Sequence, residues 1–461
     1  MNPRIFGGGV DAGGAAAGPG ALPANAALAA RDLAHVWHPC TQMHDHEALP
    51  PIPVRRAAGV WLEDYAGRRY LDAISSWWVN LFGHAHPAIS AAVAAQAREL
   101  EHVLLAGFTH EPAIRLAERL CRLAPPGLNR CFYADNGSAA IEVALKMSFH
   151  FWRNCGRDGK RRFATLSNSY HGETLGALSV GDVELYRETY KPLLLDVITV
   201  PSPDCYQRAP GASWAEHSRA SFRAMEEMLE RHAHELAAVI VEPLVQCAAG
   251  MAMHDPDYLR RARALCERYQ VHLICDEIAV GFGRTGSFFA HEQAGIRPDF
   301  LCLSKGITGG YLPLSVVMTR DAIYAAFLDD ATARGFLHSH SYTGNPLACR
   351  AALATLDIFA QDHVLAANRV RSERIDALLR PLADHPRVRH YRKRGMIFAF
   401  DVDADYGFGR RCHREMLARG VLLRPIGNTV YLMPPYILDD AQIGLLCRVT
   451  AEAVEAALDQ A

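Results

Sequence analysis

The sequence predicts an α/β protein: a large, mostly parallel sheet with helices on both faces, and a smaller α+β part made from the two ends of the chain. Three observations lead there. Between residues 87 and 345, short apolar runs alternate with longer stretches of helical period, as a parallel sheet requires. Two of those runs, 271–276 and 300–304, read as buried strands. Each delivers one reactive side chain to its carboxyl end, Asp276 and Lys305.

The chain has 461 residues, enough for two domains or for one with a sizeable appendage. Half of it (50%) is apolar and 21% is charged, the balance of an ordinary globular enzyme. A formal net charge of -2 leaves no basic footprint for nucleic acid. No apolar run approaches the roughly 18 residues of a membrane span. The twelve cysteines are scattered, without a Cys-x-x-Cys pair, and Cys275 and Cys302 lie inside apolar strands. That is a reduced, cytoplasmic pattern, not a disulfide framework or a zinc site. The His-x-His pairs at 44/46, 84/86, 232/234 and 338/340 lack further ligands at metal spacing, so no metal is expected.

Residues 1–30 are rich in Gly and Ala and lack the compact apolar core of a signal peptide, so a disordered extension is expected. Residues 31–86 would begin the small domain. Runs 59–64 and 68–72 are predicted strands that Ala66-Gly67 turns into an antiparallel hairpin. Ser75-Ser76-Trp77-Trp78 follows; paired tryptophans belong to a core or to an exposed aromatic wall. Residues 87–345 would form the large domain. Its helices are predicted over 88–102, 111–122, 138–153, 217–234 and 256–269. Its strands are predicted over 130–134, 163–167, 195–200, 237–242, 271–276, 300–304 and 314–318. After Asn345-Pro346 the pattern changes. Helices over 346–360, 366–381 and 440–458 and strands near 396–401, 421–423 and 430–432 make 346–461 the rest of the small domain. A ligand site is expected between this cap and the sheet.

Lysine is scarce here: Lys146, Lys160, Lys191, Lys305 and Lys393 are the five among 48 basic residues. A single strand-end lysine is commonly a surface residue beside a turn. Arginine, however, stays protonated, whereas a desolvated lysine can lose its proton and form a Schiff base with an aldehyde. A strand-end acid such as Asp276 is by itself commonly a helix N-cap. Together, a lysine and an acid at two strand ends match the needs of pyridoxal phosphate: an amine for its aldehyde and a carboxylate for its pyridinium nitrogen. Open α/β sheets bind ligands at that edge.

Three further stretches lie near the same edge. Asp135-Asn136-Gly137-Ser138 joins a strand to a helix, and small residues there leave backbone N–H groups for a phosphate, although a plain cap is commoner. Tyr170-His171-Gly172 follows strand 163–167, where a ring could stack on a cofactor. Glu242-Pro243 ends another strand. Gly281-Phe282-Gly283-Arg284-Thr285-Gly286 matches the dinucleotide fingerprint, but Asp276-Glu277 just before it would repel a pyrophosphate and Pro298 follows before a long helix can form, so that reading is rejected.

Strand-Asp276-Glu277, then Gly-Phe-Gly-Arg-Thr-Gly, then Ser304-Lys305-Gly306, then Gly344-Asn345-Pro346-Leu347-Ala348 resembles the class III pyridoxal-phosphate aminotransferases over nearly all of the chain after residue 31. Trp37-His38-Pro39, Ser75-Ser76-Trp77-Trp78, Tyr170-His171-Gly172-Glu173-Thr174, and Arg424-Pro425 with Tyr431 through Tyr436 are similar to one branch of that family. That branch moves an amino group from S-adenosylmethionine to 8-amino-7-oxononanoate in biotin biosynthesis. The resemblance implies the fold type I of pyridoxal-phosphate-dependent transferases, with Lys305 holding the cofactor and Asp276 contacting its ring nitrogen. It implies phosphate binding by Gly137 and Ser138, a stacking and substrate-meeting Tyr170, and a homodimer whose neighbouring subunit closes the phosphate site with the loop His338-Ser339-His340-Ser341. Members often have threonine where this chain has Ser341; the hydroxyl is kept. Trp77, Ser339, Arg424 and Lys305 would meet substrate, and Cys40 stands where many members carry a tyrosine lining the substrate site. An ω-amino acid:pyruvate aminotransferase and a pyridoxal-phosphate aminomutase are the neighbouring readings.

Overall fold

The computed structural model describes residues 24–460. The expected extension lies outside these residues up to position 23. Residues 24–30, assigned to the same extension, instead open a helix, Ala24–His35. The reason is local: this part of the stretch is dominated by alanine, the residue with the highest helix propensity, while the glycines lie earlier.

The chain divides into two compact units, one of the residues up to Arg56 with Leu62–Arg69, the other of Ala57–Trp61 with Tyr70–Ala461. The first contains Ala24–His35, the short helix Asp45–Ala48 and the Ala66-Gly67 turn foreseen in the sequence. There Asp64 Oδ1 accepts from the N–H groups of Ala66 and Arg68, each at 2.9 Å. An acidic side chain that caps its own turn in this way replaces the hydrogen bonds a tight turn leaves open.

Strands are numbered along the whole chain: β1 (Val54–Ala58), β2 (Trp61–Asp64), β3 (Arg69–Asp72), β4 (Arg130–Ala134), β5 (Arg162–Leu166), β6 (Val197–Val200), β7 (Leu236–Val241), β8 (Val245–Gln246), β9 (Ala252–Met253), β10 (His272–Asp276), β11 (Phe300–Leu303), β12 (Ser315–Thr319), β13 (Val388–Arg394), β14 (Ile397–Val402), β15 (Val421–Leu422) and β16 (Thr429–Leu432). The second unit is organised on a seven-stranded sheet in the order β4-β12-β11-β10-β7-β5-β6. It is parallel apart from β12, which runs antiparallel to both β11 and β4. The expected large, mostly parallel sheet is therefore present.

Successive strand residues point to opposite faces, and the packing follows that alternation. Ile274, Phe300, Cys302 and Val317 pack on one face with the helix Gly137–Asn154. Leu273, Cys275, Leu301, Leu303, Val316 and Met318 belong to the core of the other face, with side chains of the helices Glu111–Leu123, Trp214–His232, Pro256–Arg268 and Pro346–Gln361. Every residue of β7, β10, β11 and β12 is buried, which is why these runs carry no polar alternation. Because β12 reverses once on each side, β4, β5, β7, β10 and β11 all end at the same sheet edge.

The C-terminal residues build an antiparallel sheet, β13-β14-β16, with the helices Val364–Leu379, Phe408–Ala418 and Asp440–Asp459. β15 pairs parallel with β3, Val421 opposite Leu71. Among the described residues no helix is long and apolar enough to cross a membrane.

Candidate active site

The shared edge encloses a cavity of about 270 Å³. Each strand end contributes. β4 runs into Asn136, Gly137 and Ser138; β5 into Tyr170, His171 and Gly172; β7 into Glu242; β10 ends on Asp276; β11 leads to Lys305. The sequence named Gly137, Ser138, Tyr170, Asp276 and Lys305 as site residues, and all five line this one cavity.

Lys305 has φ 47, a left-handed conformation that a side-chain-bearing residue adopts at a cost of about 1–2 kcal/mol. It opens a tight 3₁₀ turn, Lys305–Thr308, closed by Gly309 at φ 64. The sharp reversal keeps the lysine at the strand end, partly open to the cavity. Burial pulls its amine below the usual ammonium range, against the charges of Cys247, Asp276 and Glu242. An amine disposed to lose its proton is what nucleophilic attack on an aldehyde requires.

Asp276, 4% exposed, is fixed on both oxygens. Oδ2 lies 2.7 Å from His171 Nδ1, and Oδ1 accepts from the Ile278 N–H at 3.0 Å. Glu242 is 5% exposed and accepts from the N–H groups of Tyr170, at 2.9 Å, and Cys247, at 3.1 Å. Burial pushes its carboxyl up to about 7; the Asp276 charge acts the same way, while His171 and the two N–H donors oppose it.

At the start of the helix Gly137–Asn154, Asn136 accepts from the Ala139 N–H at 3.0 Å. The first amides of an α-helix have no partner within it, and Gly137 and Ser138 at this helix start both line the cavity, the kind of place where an anion can bind. Crowding selects glycine at two points. A Cβ on Gly172 would come within 2.1 Å of Ser138 Oγ, and one on Gly137 within 3.1 Å of Ile278 Cγ2. The Glu173 N–H donates to Ser138 Oγ at 3.2 Å, tying the tyrosine loop to the helix start. An amine, an anchored carboxylate and an amide cradle, all on one cavity, fit an aldehyde-bearing ring with a phosphate arm.

The other candidates lie elsewhere. Trp77 is 47% exposed, with the Arg424 guanidinium 5.9 Å from its ring centroid; neither lines the cavity. His340, 3.1 Å from Asp135 through Nδ1, and Ser339 and Ser341 lie on the loop before the helix Pro346–Gln361, also off the lining. Cys40 is an exposed residue of the first compact unit.

Sequence reasoning passed over Trp78, His171 and Glu242 as site residues. Trp78, 5% exposed, lies with its ring centroid 4.5 Å from Lys305 Nζ, and its indole N–H donates to the Tyr431 hydroxyl at 3.1 Å. Ser75, Ser76, Trp77 and Trp78 have φ of 52, 48, 84 and 71, a run of left-handed residues that no local pattern announces. Asp72 holds this run, accepting from the Ser76 N–H at 3.0 Å and the Ser76 hydroxyl at 2.8 Å. Glu242 was legible as a carboxylate closing a strand near the same edge, the signal that found Asp276, but was given no role there.

A sequence profile described as Aminotransferase class-III matches residues 41–454. The Adenosylmethionine-8-amino-7-oxononanoate aminotransferase of Helicobacter pylori is 49% identical over 426 residues, 90% of this chain and 95% of that one. The crystal structure of the Methanocaldococcus jannaschii protein of the same name superposes with a TM-score of 0.88 at 35% identity, covering 93% of this chain and 99% of that one. The omega transaminase of Pseudomonas jessenii in complex with PMP superposes with a TM-score of 0.89 at 25% identity, covering 94% and 98%. With the profile spanning most of its length and a relative at 49% identity, the chain belongs to the class III aminotransferases.

Proposed function

We propose that this aminotransferase carries pyridoxal 5'-phosphate on Lys305 and transfers the amino group of S-adenosylmethionine to 8-amino-7-oxononanoate, giving 7,8-diaminononanoate for biotin synthesis. The observation that carries the reading is the single cavity joining Lys305, the anchored Asp276 and the amides of Gly137 and Ser138. The names of the 49% and 35% identical relatives supply the substrates. The cofactor supplies an aldehyde that carries the amine from donor to acceptor and a ring that accepts electrons.

The residues have separate tasks. Lys305 Nζ, biased toward its neutral form, would hold the cofactor at its aldehyde until the donor's amine takes its place. As a free amine it takes the proton from the donor's α-carbon, and it returns a proton to the acceptor's reacting carbon in the second half. Asp276 would meet the ring nitrogen, and His171 and the Ile278 N–H keep its side chain from turning away. Gly137 and Ser138 would hold the phosphate, with His340 and Ser341 of a second subunit closing it; a homodimer in the cytoplasm would be the working assembly. Tyr170, which lines the cavity, would stack against the ring and meet the substrate. Trp77, Ser339, Arg424 and Cys40 bind the outer parts of the substrates.

The test is direct. Purified protein with pyridoxal phosphate is mixed with S-adenosylmethionine and 8-amino-7-oxononanoate, and 7,8-diaminononanoate is sought by mass spectrometry. Product at enzymatic rate supports the reading. Transfer from an ω-amino acid to pyruvate, without diaminononanoate, replaces it with the ω-transaminase reading.

A further inference from the structure

The Gly281–Gly286 stretch, set aside as a nucleotide site, is accounted for in the fold by one side chain. Both of its later glycine amides are occupied by backbone carbonyls: Gly283 N–H donates to Phe288 O at 3.1 Å and Gly286 N–H to Gly283 O at 3.1 Å. Gly283 and Gly286 stand at φ 87 and 100, where glycine alone is at ease, and the turn carries Arg284 inward.

Arg284 is 1% exposed. Among the described residues it forms no ion pair with a carboxylate. Instead its two terminal nitrogens donate to four backbone carbonyls: Nη1 to Met433 at 3.5 Å and Pro434 at 2.9 Å, and Nη2 to Trp78 at 3.3 Å and Asn80 at 3.0 Å. Its guanidinium also lies 4.9 Å from the Tyr436 ring centroid. Burial lowers its pKa against the charges of Tyr436, Asp72 and Cys247. A buried cation with only carbonyl partners is an expensive group, and apolar residues are commonly better for stability alone. The four carbonyls, however, belong to two particular segments. Trp78 ends the left-handed turn and Asn80 lies two residues beyond it; Met433 and Pro434 follow β16, which carries Tyr431. Those segments meet again at the Trp78–Tyr431 hydrogen bond, beside Lys305.

We propose that Arg284 is a positioning residue for catalysis: its planar fork fixes the Trp78 turn against the Tyr431 strand and so holds the indole over the Lys305 amine. The inference rests on the proposed transamination only for its kinetic arm. It assigns the wall that limits how a substrate approaches Lys305 to a residue outside the cavity. Lysine cannot reproduce the two-sided grip, because its donors radiate from one nitrogen.

The test uses the holoenzyme with Arg284→Lys and Arg284→Gln, rates being normalised to bound cofactor. The chain is labelled with 5-fluorotryptophan, and Trp78→Phe assigns one of the six tryptophan resonances. For Arg284→Lys we expect a shifted or broadened Trp78 resonance and a rise of at least about tenfold in KM for 8-amino-7-oxononanoate, while cofactor content is unchanged. Trp78→Phe added to Arg284→Lys should then cost little more, since residues in one network do not add. Folded variants with an unmoved Trp78 resonance and wild-type KM overturn the proposal. So does failure of both variants to fold, which would make Arg284 structural only. If the wild-type protein does not use the oxononanoate at all, the substrate reading fails, while the fluorine resonance still decides the clamp.

Discussion

His171 Nδ1 lies 2.7 Å from Asp276 Oδ2, and both side chains are almost wholly shielded from solvent. With the Ile278 N–H on the other oxygen, the carboxylate has one available orientation. Asp276→Asn keeps that shape and removes the charge. We expect kcat/KM to fall by roughly 2–3 kcal/mol or more, the scale of a lost charged hydrogen bond, or about a hundredfold. Single-turnover kinetics with the amino donor check this; wild-type rates in the variant would refute the electron-sink role.

Lys305→Ala should fold, lose the visible absorption of the bound cofactor's Schiff base and lose both half-reactions. Lys305→Arg should fail as completely, because it restores charge and reach but offers no neutral amine. Absorption spectra and turnover read both variants, and either one turning over like wild type would exclude Lys305 as the attachment point.

Glu242 predicts a pH signature. Its folded pKa, about 7, is above the ordinary carboxylate value of 4.5. The folded state therefore holds a proton that the unfolded state releases, so this contribution is fully present below pH 4.5 and lost as pH rises toward 7. The loss is on the order of 3 kcal/mol. In cofactor-free protein, Glu242→Gln should flatten the fall in urea-measured stability across that window. His171 and Asp276 face the same carboxyl, so His171→Gln should move the midpoint of the fall upward. An identical profile in wild type and Glu242→Gln would place the titration elsewhere.

Arg424 is exposed, stands 5.9 Å from the Trp77 ring and lies outside the inner cavity; its proposed task is to meet the far carboxylate of the acceptor. A guanidinium suits that carboxylate because it can bind both oxygens. We expect Arg424→Ala to weaken use of 8-amino-7-oxononanoate by about 2–3 kcal/mol in kcat/KM without loss of cofactor. Half-reactions with each substrate separate the two effects; an unchanged oxononanoate half-reaction moves the carboxylate contact to another residue.

The strands and helices of the sheet were legible because burial on both faces writes long apolar runs, as in 236–241 and 300–303. The inner site was legible where a reactive residue closed such a run, as at Asp276 and Lys305. Elements whose burial rests on single residues were not foreseen. β13 reads Val-Arg-His-Tyr-Arg-Lys-Arg, a charged stretch that looks solvated, yet Arg392 within it is 4% exposed and donates to Met251 O at 3.1 Å and Asp401 Oδ1 at 2.8 Å. The helix Phe408–Ala418 hides its period among arginines; only Phe408, Cys412, Met416 and Leu417 are buried. Trp78 was ambiguous because a pair of tryptophans does not say which one turns inward. That depends on four left-handed residues held by Asp72 and Arg284, which are distant choices rather than local ones.

β12, antiparallel between β4 and β11, sets a timetable for synthesis. β4 leaves the ribosome early but has no neighbour in the sheet until Ser315–Thr319 emerges. The turn under Lys305 waits longer still: Ser75 Oγ donates to Met433 O, 358 positions later. Contacts this remote in sequence form slowly and leave an unpaired edge and an apolar helix face exposed meanwhile. The nascent chain can thus assemble β5, β6, β7 and β10 before Met433 is made, but the turn under the amine pocket is completed only once Met433 has emerged, and the interval before it is when chaperone dependence should be greatest.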